Sequence, residues 1–196
     1  MKRLYAFDFD GTLTTADTLL VFIRYACGTW RFIVGFLLHS PLLVLMKLKL
    51  YPNYRAKQRI FAWYFRGMEL KTFDALCRQF AERNACLIRP KAKALLERLF
   101  SEGESVCVVS ASIDNWVRPF FTNMAKNSRS NFCVLGTQVE ADDNGLLTGR
   151  FLTNNCYGVE KVERLCKQYP DLTVHRNDYV CLLYTSDAAD DLLCVD

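Results

Sequence analysis

Two histidines, and no pair of cysteines at metal or redox spacing, are the first shortages of this 196-residue sequence. His39 and His175 are isolated and far apart, so both are read as structural or surface residues without chemistry. None of the nine cysteines forms a CxxC pair or has a neighbouring His at ligand spacing, which leaves no zinc or redox motif. The net charge of +4 comes without a dense block of Lys and Arg, and this argues against a nucleic-acid partner. No secretory leader precedes Asp8, so free thiols in a reducing cytosol are expected. Nor is there an apolar run of the ~20 residues that a spanning helix needs, because the stretch between Arg31 and Lys47 falls short and Pro41 interrupts it. What the chain does have is 51% hydrophobic content, ample for a real core, in a length that allows one medium domain or one domain with an insert.

The pentapeptide Asp8-Phe9-Asp10-Gly11-Thr12 follows the apolar run Leu4-Tyr5-Ala6-Phe7. That run reads as a buried parallel strand, and open α/β sheets bind ligands at the carboxyl ends of such strands. Two carboxylates one residue apart converge on a phosphate only if a cation shares the space, and an all-oxygen donor set favours Mg²⁺. Asp8 and Asp10 are therefore the candidate metal ligands. Gly11 lets the backbone turn and come close to a phosphate, and Thr12 adds a hydroxyl and an N–H. The plainer reading is a strand followed by an acidic glycine turn.

After Thr12 the pattern is helical for roughly seventy residues. Helices are expected at about 17–26, at 30–39 and again after Pro41, then at 54–65 and 72–87. A further helix opens at Arg89-Pro90 and runs to about Glu102. The apolar stretches Phe32 to Leu38 and Leu42 to Met46 exceed what a solvent-facing helix needs. They read either as a helical hairpin buried within the insert or as a hairpin dipping into a membrane interface, flanked by Arg24, Arg31, Lys47 and Lys49. From Ser105 onward, strands and helices alternate. Val106 to Val109 ends in the hydroxyl-bearing turn Ser110-Ala111-Ser112, Asp114 caps a helix through Phe121, and Phe132 to Leu135 is a third strand. A hairpin over Gln138–Glu140 and Leu146–Phe151 turns at Asp142–Gly145; a helix from Gly158 to Gln168 carries Lys161; Tyr179-Val180 starts another strand.

An acidic strand end, a serine-bearing strand end about a hundred residues later and a lysine at a helix start make a phosphate site with a nucleophile. In that order, Asp8 to Thr12, Ser110 and Lys161 resemble the first three motifs of the haloacid dehalogenase (HAD) superfamily of phosphohydrolases. The fullest likeness is to its phosphoserine-phosphatase-like subfamily, IB, through Ser110-Ala111-Ser112, Leu147 to Arg150 and Cys156 to Lys161, and it extends to about Val180. The resemblance implies an α/β fold, with a HAD-like Rossmannoid core and parallel sheet formed by 1–13 and 88–180 and an all-helical cap, 14–87, inserted after the first strand. It implies that Asp8 attacks phosphorus to form an aspartyl-phosphate, and that Asp10 protonates the leaving oxygen and later deprotonates water. Asp8 and Asp10 would hold Mg²⁺. Ser110 would hydrogen-bond a phosphoryl oxygen together with N–H groups near Phe9 and Ala111, and Lys161 would neutralise charge, with Gly11 and Thr12 as further substrate-binding positions. Outside the resemblance, Ser110 reads as a capping hydroxyl and Lys161 as a residue of a solvated helix face.

The superfamily's fourth motif, Gly-Asp-Ser-x-x-Asp, completes the metal site, but its place here holds Tyr184 to Asp191. Asp190 aligns with the last acid and Ser186 with the first. Cys181 to Asp190 reads as the translation of TGT CTC TTA TAC ACA TCT GAC GCT GCC GAC, a transposon-type sequencing adapter, and Val195 and Asp196 fit the outer adapter in the same frame. Residues 181–196 are therefore read as a non-native tail, with the C-terminal part of the core truncated and the fragment itself catalytically poor. The implied function is a Mg²⁺-dependent phosphomonoester phosphatase, cytoplasmic, acting on a phosphorylated small molecule. One alternative is a membrane-associated phosphatase of a lipid head group, since the apolar cap segment 32–46 also resembles that of phosphatidylglycerophosphate phosphatases. The other is a non-catalytic phosphate-binding or interaction module on the same fold.

Overall fold

The computed structural model describes residues 4–126, 131–154, 156 and 158–170. The strand expected at Tyr179-Val180 and the tail 181–196 lie outside the described residues.

Strands β1 (Leu4–Phe7), β2 (Ser105–Ile113) and β3 (Phe132–Thr137) form a parallel sheet in the order β1-β2-β3, in keeping with the α/β class implied by the sequence. Phe7 lies opposite Val108 and Val108 opposite Val134, so the carboxyl ends of the strands sit side by side. Leu4, Phe7, Val106, Cys107 and Val108 are all buried, as a parallel sheet covered on both faces requires. β2 runs further than its β-branched stretch suggests, so Ser110-Ala111-Ser112 lies inside the strand and not in a turn. The pairing with β3 shifts register between Val109 and Ile113 and resumes where Gly136 leaves room, since a side chain there would stand 2.8 Å from the Asp114 backbone nitrogen. Asp114 is not a helix cap. Ile113 holds that position, and Asp114 opens α6 (Asp114–Val117) with its carboxylate 3.7 Å from Arg118. A 3-10 turn over Arg118–Phe121 and α7 (Thr122–Lys126) follow.

Between β1 and α5 (Pro90–Ser101) the chain folds into α1 (Thr18–Cys27), α2 (Thr29–Lys47), α3 (Asn53–Phe65) and α4 (Leu70–Arg83). The exit and return of this insert run together: Thr14 bridges Ile88, and the Arg89 guanidinium donates to the carbonyls of Thr14 (3.0 Å) and Gly11 (3.1 Å). Phe22 of α1 stacks on Trp116 at 4.8 Å and meets Phe73 and Phe80 edge-on at 5.7 and 5.2 Å. One aromatic cluster thus joins insert to sheet, each pair adding about 0.5–1.5 kcal/mol beyond its burial.

Three expectations for the insert are corrected. α2 runs unbroken through Pro41, because the Ser40 hydroxyl donates to the Leu37 carbonyl at 2.8 Å and satisfies the acceptor that proline cannot serve. Nor does α2 form a buried hairpin: Gly35 is its one buried residue, and Leu37 is 65% exposed. α4 begins at Leu70 and ends at Arg83, where the Asn84 amide donates to the Phe80 carbonyl (2.9 Å) before a 3-10 turn over Ala85–Leu87.

The expected hairpin is present as β4 (Val139–Ala141) and β5 (Leu147–Phe151), its turn held by the Asp142 carboxylate accepting from the N–H groups of Asn144 and Leu146, both at 2.9 Å. It packs on α3, where Gly149 (φ +84°) leaves no room for a side chain: a Cβ would lie 2.6 Å from that of Ala62. α8 (Val159–Gln168) lies beside β2 and β3, with Arg164 donating to the Gly136 carbonyl at 2.6 Å.

Candidate active site

Asp8 leaves the end of β1 and is buried there. Its Oδ1 accepts the Phe9 N–H at 2.8 Å and meets the Lys161 ammonium at 3.0 Å, although the two residues are far apart in sequence. Both contacts fall on the same oxygen. Burial pushes the Asp8 carboxyl above the usual carboxylate range; the Lys161 charge and hydrogen bond and the Phe9 N–H oppose this, and the negative charge of Asp10 adds to it.

Asp10 sits in the turn Phe9–Leu13, where Asp10 and Gly11 depart from helical dihedrals and Gly11 takes φ +74°. The glycine reverses the chain at a positive φ that other residues rarely adopt, and this aims the Asp10 side chain back across the strand ends. Its Oδ1 accepts the Thr18 N–H (2.8 Å) and the Thr18 hydroxyl (2.6 Å) at the start of α1. Its Oδ2 accepts the Ser112 hydroxyl at 2.6 Å and, more weakly, the Ser110 hydroxyl at 3.4 Å. The Trp116 indole N–H donates in turn to the Thr18 hydroxyl at 3.2 Å. One carboxylate therefore ties β1, β2 and the first helix of the insert together. Ser110 itself accepts the Ser112 N–H at 3.0 Å, Gly11 donates its N–H to the Thr14 hydroxyl at 3.2 Å, and Thr12 lies in the same turn.

The structure brings Lys161 to Asp8, the residue whose charge it was expected to offset, and sets the Ser110 hydroxyl, expected on a phosphoryl oxygen, toward Asp10. Other groups at the site were not anticipated. Ser112 binds Asp10 more closely than Ser110 does, and the two-residue repeat of a strand, which puts 110 and 112 on one face, was the available signal. Thr18 is fully buried, and its role depends on where α1 enters, which spacing does not reveal. Lys57 of α3 lines a small cleft with Ser112, Thr137 and Trp116. Burial pushes its ammonium pKa down, against the pull of Asp17 and Asp10. Asp17, which caps α1 through the Leu19 N–H at 2.9 Å, is pushed up by burial and then by Asp10. A larger groove of about 530 Å³ between α5 and α7 is lined by Lys93, Glu97, Phe120 and Met124 and contains none of these groups, so convergence of charge and not cavity size marks the site.

Among the described residues no three His, Cys, Asp or Glu side chains converge as a metal cluster. Two hard-oxygen carboxylates are nonetheless what Mg²⁺ takes from a protein when a substrate phosphate completes its shell. The donor set fits the ion.

A family model described as haloacid dehalogenase-like hydrolase matches residues 5–196. Protein CicA of Caulobacter vibrioides is 32% identical over 174 residues, covering 86% of this chain and 74% of that protein. Among solved structures, a protein of unknown function from Bordetella pertussis Tohama I aligns with a TM-score of 0.72 at 15% identity, covering 92% of this chain and 80% of its own. A phosphoserine phosphatase, solved as an analogue of its phospho-aspartyl intermediate, aligns with a TM-score of 0.58 at 18% identity, covering 92% and 77%.

Proposed function

The chain belongs to the haloacid dehalogenase-like hydrolase family, and from that premise we propose that it is a Mg²⁺-dependent phosphomonoester phosphatase working through an aspartyl-phosphate on Asp8. The observation that carries this reading is the buried contact between Asp8 and Lys161: with Oδ1 held by Lys161 and the Phe9 N–H, Oδ2 is the oxygen that attacks phosphorus. The bond from phosphorus to the leaving oxygen breaks as Asp10, entering the step as the carboxylic acid once substrate is bound, delivers its proton to that oxygen; the resulting carboxylate then takes a proton from the water that hydrolyses the acyl phosphate, which restores the acid. Lys161 offsets charge on the transferring group, and Ser110 and backbone N–H groups of the Phe9–Thr12 turn and of Ala111 receive the phosphoryl oxygens. Asp8 and Asp10 would hold Mg²⁺, which when bound supplies the positive charge that lets an anionic phosphate approach two acids.

In this reading 1–13 and 88–180 are the catalytic core, and 14–87 is a cap that closes over the site and selects the substrate, with Lys57 lining the cleft. The resemblance to subfamily IB and the phosphoserine phosphatases among the structural neighbours favour a small phosphorylated molecule as substrate, and the reading assigns the protein to the cytoplasm. A lipid phosphate is the second reading, favoured by the exposed apolar surface of α2. The fragment's tail, 181–196, is read as non-native. Sequencing the source gene across the codons for Val180 and Cys181 tests this: continuation into Gly-Asp-Ser and a later Asp upholds it, whereas the same tail in the gene refutes it and moves a non-catalytic binding module ahead of the phosphatase. Asp8→Asn in the gene-encoded protein tests the enzyme itself, with loss of phosphate release and an unchanged fold as the supporting result.

A further inference from the structure

α2 divides lengthwise. Toward α3 it presents Phe32, Gly35, His39, Leu42 and Met46, half-buried or buried at helical spacing. The packing is specific: the Tyr64 hydroxyl donates to the Phe32 carbonyl at 3.0 Å, and Arg31 donates to the Tyr64 carbonyl at 3.4 Å while lying over the Trp63 ring. The opposite face carries Trp30, Ile33, Val34, Leu37, Leu38 and Val44, all exposed, with Trp30 at 79% and Leu38 at 61%. The outer face of a surface helix in water is ordinarily polar, and a contiguous apolar patch of this kind marks a surface that meets something.

By length and composition α2 is apolar enough to cross a membrane, and 6% of its most apolar window is buried. Its attachments exclude crossing. α1 ends one residue before it, and after Lys47 the chain turns within a few residues into α3, which lies back along α2. α3 carries Arg55, Lys57 and Arg59, and its Phe61 and Phe65 belong to the common core. A transmembrane α2 would draw those charges into hydrocarbon. Lying in the plane of an interface, with the α3 side uppermost, breaks none of these contacts.

Charge names the occupant. From Thr18 to Met68 the sequence has eight Lys or Arg and no Asp or Glu. Arg31 stands near one end of the apolar face and Lys47 and Lys49 at the other, all exposed. Trp30 and Tyr54, exposed at 79% and 46%, are amphipathic rings of the kind that settle at head-group level. A second copy of the chain would bring the same positive surface against this one, whereas an anionic bilayer complements both the charge and the apolar face. We infer that α2 is an in-plane docking helix that seats the protein on an anionic lipid bilayer, its Leu37–Leu38 side toward the acyl chains.

The inference is independent of the phosphatase reading, and its test reads binding without turnover. The intact chain is floated with vesicles of phosphatidylcholine containing a third phosphatidylglycerol, and with phosphatidylcholine alone, at low and high salt. Flotation with the anionic vesicles is expected, falling severalfold on neutral vesicles or in high salt and at least tenfold in the Leu37→Glu/Leu38→Glu variant, whose exposed positions leave the circular dichroism and melting unchanged. Lys47→Glu/Lys49→Glu should weaken binding to anionic vesicles alone. Failure of the folded protein to float with anionic vesicles overturns the inference. So does sedimentation showing a dimer that Leu37→Glu/Leu38→Glu dissociates while vesicle binding is absent, which would assign the face to a second copy.

Discussion

Replacing Asp10 with Ala should loosen the join between the insert and the sheet, and the loss can be worked from its contacts. Three donors reach the carboxylate within 2.8 Å: the Thr18 N–H, the Thr18 hydroxyl and the Ser112 hydroxyl; the Ser110 hydroxyl at 3.4 Å is too long to weigh equally. A hydrogen bond to an ionised group contributes about 1.5–3 kcal/mol, so the gross loss is several kcal/mol. Two effects offset it. Asp10 also repels Asp8 and Asp17, pushing both carboxyls up, and its half-buried position lets water reach the abandoned donors. The net destabilisation should be about 3 kcal/mol, read as a lower urea midpoint with an unchanged slope. Because Thr18 and Ser112 belong to different elements joined through one carboxylate, a double-mutant cycle of Asp10→Ala with Ser112→Ala should give a coupling of about 1–2 kcal/mol. A loss under about 1 kcal/mol, or a coupling indistinguishable from zero, would refute the bridging role.

Two further perturbations probe the packing and the buried charges. Gly35→Ala ought to gain about 1 kcal/mol of helix propensity in α2, yet its Cβ would lie 2.5 Å from Trp63 Cζ3 and 2.6 Å from Tyr64 Cζ, so net destabilisation of about 1–2 kcal/mol is expected in urea unfolding; stabilisation would mean that α2 does not pack on α3 as described. Burial raises the Asp114 carboxyl despite Arg118, so the native state holds this proton more tightly than the unfolded chain and loses stability as pH rises through the raised folded value. Melting of Asp114→Asn beside the unsubstituted protein, from about pH 4 to about pH 7, should move the difference in the variant's favour as pH rises; movement the other way would mean that Arg118 outweighs burial.

The legible parts of the molecule were those set by local pattern. The strand that stops before Asp8, the Pro90 helix start and the Asp142 turn each depend on a few neighbouring residues, and each recurs in the structure. The misread parts depend on distant partners. Pro41 signals a break only if its lost acceptor goes unserved, and Ser40 serves it. The apolar run of α2 announces burial without saying against what, and in the folded chain one side meets α3 while the other is exposed. β2 outruns its β-branched segment because Gly136, on a neighbouring strand, admits Asp114. Lys57 reaches the cleft only because α3 crosses it, a placement that no spacing within α3 encodes.

The central claim is that Asp8 carries the phosphoryl group, and the most direct measurement is to trap it there. Protein expressed from the source gene would be mixed with a phosphomonoester and Mg²⁺, quenched in acid within one turnover and digested, and the Asp8 peptide weighed. The account predicts a base-labile phosphoryl adduct on Asp8, absent from Asp8→Asn together with all phosphate release. Sustained turnover by Asp8→Asn, or an adduct on another residue, would contradict it.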